Sequence, residues 1–203
     1  PVDRWITEQT LRNLASLQRV GTGAAGEDKS LQEGRQEFFH EQGMIFGANY
    51  ASTAVVPDGT ALPEVSNPVT DYVPTARPGS RAPHVWLEHG GERLSTLDLF
   101  DAGFVLLAAQ AGAAWCQAAV EVAHARRVPL HAFTVGPQRD LVDPDGSWAT
   151  TYEVEQEGAV LVRPDGYVTW RSRSGMTNPT QILKGVFDSV LGESVASVEP
   201  FLS

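Results

Sequence analysis

Apolar residues along the chain change their spacing several times, and each change predicts an element. Leu11, Leu14 and Leu17 within Thr7 to Val20 keep roughly helical spacing, Gly21 and Gly23 interrupt it, and a second helical stretch runs from Ser30 to Gln42. Met44 to Val56 turns apolar and β-prone before the turn residues Pro57-Asp58-Gly59, which predicts a strand. Between Pro57 and Pro83 lie 6 of the 13 prolines, the composition of an extended arm. His84 to Leu94 carries Gly90-Gly91 between two short apolar runs and predicts a hairpin, followed by Ser95, Thr96 and Asp98, which suit the start of a helical turn.

From there the pattern is that of a compact α/β unit. Phe104 to Ala109 is a continuous apolar run of strand length, Ala113 to Arg126 is Ala-rich and helical, and Leu130 to Val135 is a second apolar run. Strand, helix, strand in this order predicts two parallel neighbours in one sheet. Ala159 to Val162 and Tyr167 to Trp170 flank Arg163-Pro164-Asp165-Gly166, the chemistry of a tight antiparallel turn. Asn178-Pro179 offers an N-cap with proline at the first helical position, and Ile182, Leu183, Val186, Phe187, Val190 and Leu191 form one apolar stripe ending before Gly192. The expected architecture is a central sheet with flanking helices over residues 84–203, preceded by a helical segment, a strand and a proline-rich arm over residues 1–83.

Composition narrows the partners. The 203 residues are 42% hydrophobic and 20% charged, as in soluble globular proteins, and the formal net charge of -10 repels phosphate backbones and anionic membranes. The most apolar stretch, Gly103 to Trp115, is shorter than the ~18 to 20 residues needed to cross a bilayer. No nucleic-acid or membrane partner is expected. One cysteine, Cys116, admits no disulfide within the chain, and the five histidines show no ligand spacing, so no metal site is expected. No basic region followed by an apolar run is visible, and a reducing cytoplasmic setting is expected.

The order βαβ, hairpin, helix is that of the thioredoxin fold, whose redox dithiol lies where the first strand meets the following helix. Here that position reads Trp115-Cys116-Gln117-Ala118-Ala119, so Trp115 and Cys116 match and Ala119 replaces the resolving cysteine. Without it, a mixed disulfide has no internal thiol to attack it. Cys116 is therefore read as a degenerate redox position, with a single-cysteine thiol redox protein as the weaker alternative.

Four phrases in register carry a closer match: Pro78 to His84 (PGSRAPH), Ser95 to Phe100 (STLDLF), Gly103 to Leu107 (GFVLL) and Gly158 to Arg171 (GAVLVRPDGYVTWR). In this order the chain resembles the carboxy-terminal region of the phenol, chlorophenol and aromatic polyketide hydroxylases, single-component FAD monooxygenases. The resemblance implies a chain that is the carboxy-terminal part of such an enzyme, with a structural or oligomerisation role and no activity alone. It implies FAD and NAD(P)H for the complete enzyme and none bound by this chain by itself. The implied partner is an upstream flavin-binding domain on the same or a separate chain. Gly21-Thr22-Gly23-Ala24-Ala25-Gly26 has dinucleotide-motif spacing but follows a helical pattern, so it lacks the strand-to-helix context that gives such a motif meaning.

Arg81 and His84, on the arm, and Asn49 and Tyr50, on the expected strand, are the candidates for contact with the substrate or flavin region; the structural alternative is that they pin the arm or pack. The rival class of function is a free-standing interaction module with a degenerate thioredoxin-like fold, possible as a homodimer through a sheet edge or the terminal helix.

Overall fold

The computed structural model describes residues 41–192. The helix expected over Thr7 to Val20, the part up to residue 40 of the one expected over Ser30 to Gln42, and the glycine motif after Val20 lie outside the described residues. The chain divides into two compact units, whose described residues are 41–50 with 63–73, and 51–62 with 74–192.

In the smaller unit, α1 (Gln42–Phe46) stands where the sequence predicts a strand from Met44. The strand expectation is overturned over its whole length, for residues 47–56 form no strand either. Strand propensity needs a ladder to satisfy the backbone, and here the Met44 N–H donates instead to the Val69 carbonyl at 3.2 Å and the Gly47 N–H to the Gly43 carbonyl at 2.9 Å. The 67–71 turn is closed by Asn67 and Asp71, each side chain taking a backbone N–H of the turn at 2.9 Å. Gly43 packs so closely on this turn that a Cβ would stand 2.5 Å from the Pro68 carbonyl oxygen.

The larger unit follows the predicted order. β1 (Trp86–His89) and β2 (Glu92–Ser95) form the hairpin, with Gly90 and Gly91 at φ 59° and 87°, the left-handed pair that a two-residue turn requires. A short 3-10 turn (Thr96–Leu99) follows, with the Ser95 hydroxyl accepting the Leu97 N–H and Asp98 accepting the Ser95 N–H, a closed capping box. Then come β3 (Phe104–Ala109), α2 (Ala113–Arg126), β4 (Leu130–Val135), α3 (Trp148–Tyr152), β5 (Ala159–Val162), β6 (Val168–Ser172) and α4 (Pro179–Leu191). The sheet order is β4-β3-β5-β6, with β3 and β4 parallel and the other pairs antiparallel. The expected α/β class and mixed sheet are found. Asn178 differs in detail: it sits at φ 60° and makes no side-chain cap, so its carbonyl, accepting from Gln181 and Ile182, opens the helix behind Pro179.

Every residue of β3, β5 and β6 is buried, because both faces of the sheet are covered. Along β3, Val105, Leu107 and Ala109 enter a core with Leu87, Trp148 and Tyr152, whereas Phe104, Leu106 and Ala108 enter a second core with Trp115, Val122, Leu183 and Phe187. The unit is thus three layers: hairpin, arm and α3; sheet; α2 and α4.

The arm closes the free edge of β6. The Gly79 N–H donates to the Val168 carbonyl, the Val168 N–H to the Ser80 carbonyl and the Ala82 N–H to the Gly166 carbonyl, at 2.8 to 2.9 Å. The guanidinium of Arg171, 3% exposed, holds the first part of the arm. Its Nε donates to Asp58 Oδ2 and its Nη2 to Thr60 Oγ1, both at 2.8 Å, while Nη1 reaches the Tyr152 carbonyl at 3.3 Å and lies 3.4 Å from Glu153 Oε2. Burial alone would raise the Asp58 carboxyl, but the Thr60 N–H and hydroxyl together with Arg171 outweigh it and hold the group below its ordinary 3.8.

Replacing Arg171 by Met leaves the half-buried Asp58 without its cation, and a loss of roughly 1.5–3 kcal/mol of stability is expected by urea unfolding. Adding Asp58→Asn to that variant should return part of it. Because the folded state holds Asp58 below its unfolded value, its stabilisation is complete above pH ~4 and drains away as pH falls through the folded value, so Asp58→Asn should flatten the acid limb of a stability-pH curve.

Candidate functional site

The junction of β3 with α2 is where a thioredoxin-type dithiol would lie. Trp115 is 2% exposed, its indole N–H donates to the Glu157 carbonyl at 2.9 Å, and its ring packs 4.9 Å from that of Trp170. Ala119 is fully buried among these residues. Cys116 is half-buried. Burial, with the charge of Asp140 adding to it, pushes its thiol up to about 11, so the neutral thiol prevails at physiological pH. The junction is therefore filled by packing, and the nucleophile it retains is held in its unreactive form.

Arg81 pairs as an isolated antiparallel bridge with Tyr167, which fastens the arm to the β5–β6 turn. His84 is exposed, with Nδ1 2.7 Å from the Ser95 hydroxyl oxygen and its ring edge-on to Trp86 at 4.7 Å. Arg93 lies 4.3 Å over the same Trp86 ring, giving a surface cluster of cation and aromatic groups on the outer face of the hairpin. Asn49 and Tyr50 lie in the smaller unit, with Tyr50 39% exposed. Arg81 and His84 thus share the larger unit, three positions apart on the arm. Directly before His84, the Pro83 carbonyl accepts from the Tyr152 hydroxyl and the Thr96 hydroxyl, both at 2.8 Å.

Two features escaped the sequence reading. Asp143 and Glu153 lie among alternating carboxylates (Asp143, Asp145, Glu153, Glu155 and Glu157), a pattern usual for a solvated face, yet Asp143 Oδ2 accepts the Trp148 N–H at 2.7 Å and Glu153 faces Arg171. Beyond the carboxy ends of β3 and β4 there is also a cavity of about 420 Å³, bordered by Gln110, Gly136, Asp143, Trp148 and Gln156. Alternation of carboxylates in sequence gives no sign of which one turns inward; the Asp-Pro-Asp-Gly turn chemistry at Asp143 was the available signal. Among the described residues, no three of His, Cys, Asp and Glu come together to hold a metal, and no helix is long and apolar enough to cross a membrane.

The β3–α2 junction does not carry the glycine-rich turn of a Rossmann-type dinucleotide site. Such a site needs glycines where the first strand turns into the helix, so that the pyrophosphate can approach the backbone. Gly112 is the one glycine there, and the space beside it is taken by the Ala108 Cβ and the Gly158 carbonyl, 3.0 and 3.1 Å from where a Cβ would stand.

A family model described as aromatic-ring hydroxylase, C-terminal, matches residues 75–194. The chain is 35% identical over 189 residues to 2,4-dichlorophenol 6-monooxygenase of Delftia acidovorans, covering 91% of this chain and 32% of that protein. It is 34% identical over 201 residues to phenol 2-monooxygenase of Pseudomonas sp. (strain EST1001), covering 96% and 32%. Among solved structures it is similar to the flavin-dependent monooxygenase PieE in complex with FAD and substrate, with 31% identity and a TM-score of 0.76 over 95% of this chain and 38% of that one. It is also similar to aklavinone-11 hydroxylase in a ternary complex with FAD and aklavinone, with 41% identity and a TM-score of 0.66 over 74% and 27%. The chain spans about a third or less of the length of the curated relatives it matches.

If the junction is held unreactive as the geometry indicates, alkylation of Cys116 by iodoacetamide should stay slow through pH 8 and accelerate only as pH approaches about 11. Rapid alkylation near pH 7 without denaturant would contradict it.

Proposed function

The chain belongs to the aromatic-ring hydroxylase C-terminal family, and on that premise we propose that it is the carboxy-terminal part of an FAD- and NAD(P)H-dependent phenol-type monooxygenase, structural in role and inactive alone. The observation that carries this reading is one of extent. The chain is similar over 95% of its own length to a flavin monooxygenase that binds FAD, and spans only 38% of that protein. The lack of a glycine-rich strand-to-helix turn at Gly112 supports a flavin site carried by the part of the complete enzyme that this chain does not span. In the complete enzyme NAD(P)H reduces the flavin, which activates oxygen for insertion into a phenolic ring; none of those steps is assigned to residues described above.

What this chain contributes is a scaffold. Its larger unit keeps the strand and helix order of a thioredoxin-like domain, with Ala119 and Trp115 sealing the dithiol position. Arg81, His84, Asn49 and Tyr50 are the side chains proposed to meet the flavin- or substrate-bearing region, and a reducing cytoplasm is the proposed setting. The proposed partner is an upstream flavin-binding domain, on the same or a separate chain. The exposed cluster of His84, Trp86 and Arg93 supports a contact surface on the hairpin, since aromatic and arginine side chains are enriched where proteins meet.

A chimera tests this directly. With this chain substituted for the aligned carboxy-terminal third of the Pseudomonas phenol 2-monooxygenase, the product should bind FAD stoichiometrically and hydroxylate phenol, whereas the 203-residue chain alone should bind no FAD. Stoichiometric FAD binding by the isolated chain, or a chimera that folds but holds no flavin, would overturn the reading.

A further inference from the structure

The tripeptide Pro-Asp-Gly occurs three times in the chain, at Pro57-Asp58-Gly59, Pro144-Asp145-Gly146 and Pro164-Asp165-Gly166. Aspartate before glycine carries a latent reaction of its own. The glycine nitrogen attacks the aspartate Cγ, unhindered because the following residue has no Cβ, and a succinimide ring closes. The three copies share the local sequence that favours this, so their surroundings decide which of them reacts. Closure needs a carboxyl group free of fixed partners, an uncommitted glycine N–H and a backbone with room to turn.

At Asp58 the carboxyl group is pinned: the side chain is 12% exposed, Oδ1 accepts the Thr60 N–H at 2.9 Å and Oδ2 takes Arg171. Against the raising effect of burial these bonds hold it as the carboxylate, the poorer electrophile. Asp165 is exposed, yet Arg163 holds both of its oxygens and Oδ1 also takes the Tyr167 N–H at 3.3 Å. The Gly166 N–H is committed as well, donating to the Arg163 carbonyl at 2.9 Å. Asp145 differs on each count. Pro144, Asp145 and Gly146 are all exposed, and the Asp145 carboxylate has no hydrogen bond or ion pair among the described residues. Residues 144 and 145 form a turn as 164 and 165 do, but the Gly146 N–H stands outside ordinary hydrogen-bond geometry to any acceptor. The space beside Gly146, where a Cβ would stand, is open.

We propose that Asp145–Gly146 is the Pro-Asp-Gly site at which the folded chain converts aspartate to isoaspartate. The Gly146 nitrogen bonds to Asp145 Cγ, and the hydroxyl of the protonated carboxyl leaves as water with the amide proton. Water then opens the ring. Breaking the bond from nitrogen to Cγ restores aspartate. Breaking the bond from nitrogen to the former main-chain carbonyl carbon sends the main chain through Cγ and leaves the α-carboxylate as the side group. Atoms are conserved overall, no oxidant or reductant is needed, and the main chain gains one methylene. That extra length falls in the loop closed by the Asp143 Oδ2 bond to the Trp148 N–H, and Gly146 borders the cavity beyond β3 and β4, so the product reshapes that wall. The site is independent of the flavin chemistry proposed for the complete enzyme, and its failure would leave that proposal standing.

The test is to age the 203-residue chain at neutral pH in heavy-oxygen water, with and without denaturant, and to map the products by mass spectrometry. Electron-transfer fragmentation tells isoaspartate from aspartate of equal mass, and the heavy oxygen marks each ring opening. In the folded chain isoaspartate should accumulate at position 145 at least about tenfold faster than at 58 or 165, which react only from the fraction of molecules whose local contacts are open. In denaturant the three tripeptides lose their surroundings, and the rates should converge. Asp145→Glu, whose longer side chain closes a larger ring far more slowly, should remove the product at 145 and leave 58 and 165 unchanged. Equal rates at the three positions in the folded chain, or a lead for Asp58 or Asp165, would overturn the proposal. So would a lead for Asp145 that persists unchanged in denaturant, since it would then come from sequence and not from the fold.

Discussion

Arg171 is the point on which the larger unit closes. A guanidinium in a buried strand is costly unless all its donors are used, and here one side chain reaches Asp58 and Thr60 from the arm and the Tyr152 carbonyl and Glu153 from the end of α3. The charge thus ties β6, the arm and α3 together at one place. Arg77 extends the same device, its Nε donating to the Thr60 carbonyl at 2.6 Å and its Nη1 to the Pro78 carbonyl at 3.1 Å. A proline-rich arm has few backbone donors to spend on a ladder, so side-chain guanidinium groups supply the missing bonds.

With the arm fixed on the edge of β6 and α2 with α4 on the opposite face, the sheet presents no open edge on that side and no open face. This explains the state of the β3–α2 junction. Trp115 and Ala119 belong to the core beneath α2, and Cys116 beside them is desolvated instead of exposed, so the junction serves packing. A cysteine held as a neutral thiol is consistent with the structural role proposed for this unit.

Legibility of the fold in the sequence followed the locality of the signal. The runs of β3 and β4, the Gly90-Gly91 turn, the Arg163 to Gly166 turn and the stripe on α4 each depend on neighbours within one or two turns of chain, and all were readable. Met44 to Val56 was not, because its propensity is that of a strand while its backbone bonds go to a turn more than 20 residues away and to β6. Arg171 stood just past the expected strand Tyr167 to Trp170 with no sign of its role, since Asp58 lies 113 positions earlier and no periodicity connects them. Asp143 and Glu153 were hidden among carboxylates of the same type, and only the three-dimensional placement of Trp148 and Arg171 distinguishes them. What holds Arg81 and His84 in place, the bridge to Tyr167 and the Ser95 contact, involves partners 11 or more positions away and left no sign in the local pattern.

The account stands or falls on whether this scaffold accompanies a flavin in the cell. Native mass spectrometry of the protein from its own cells is the most direct measurement. The account predicts this sequence within, or tightly bound to, a species that carries FAD. A flavin-free species of 21.9 kDa or its multiples as the sole form would contradict it and leave a free-standing interaction module in its place.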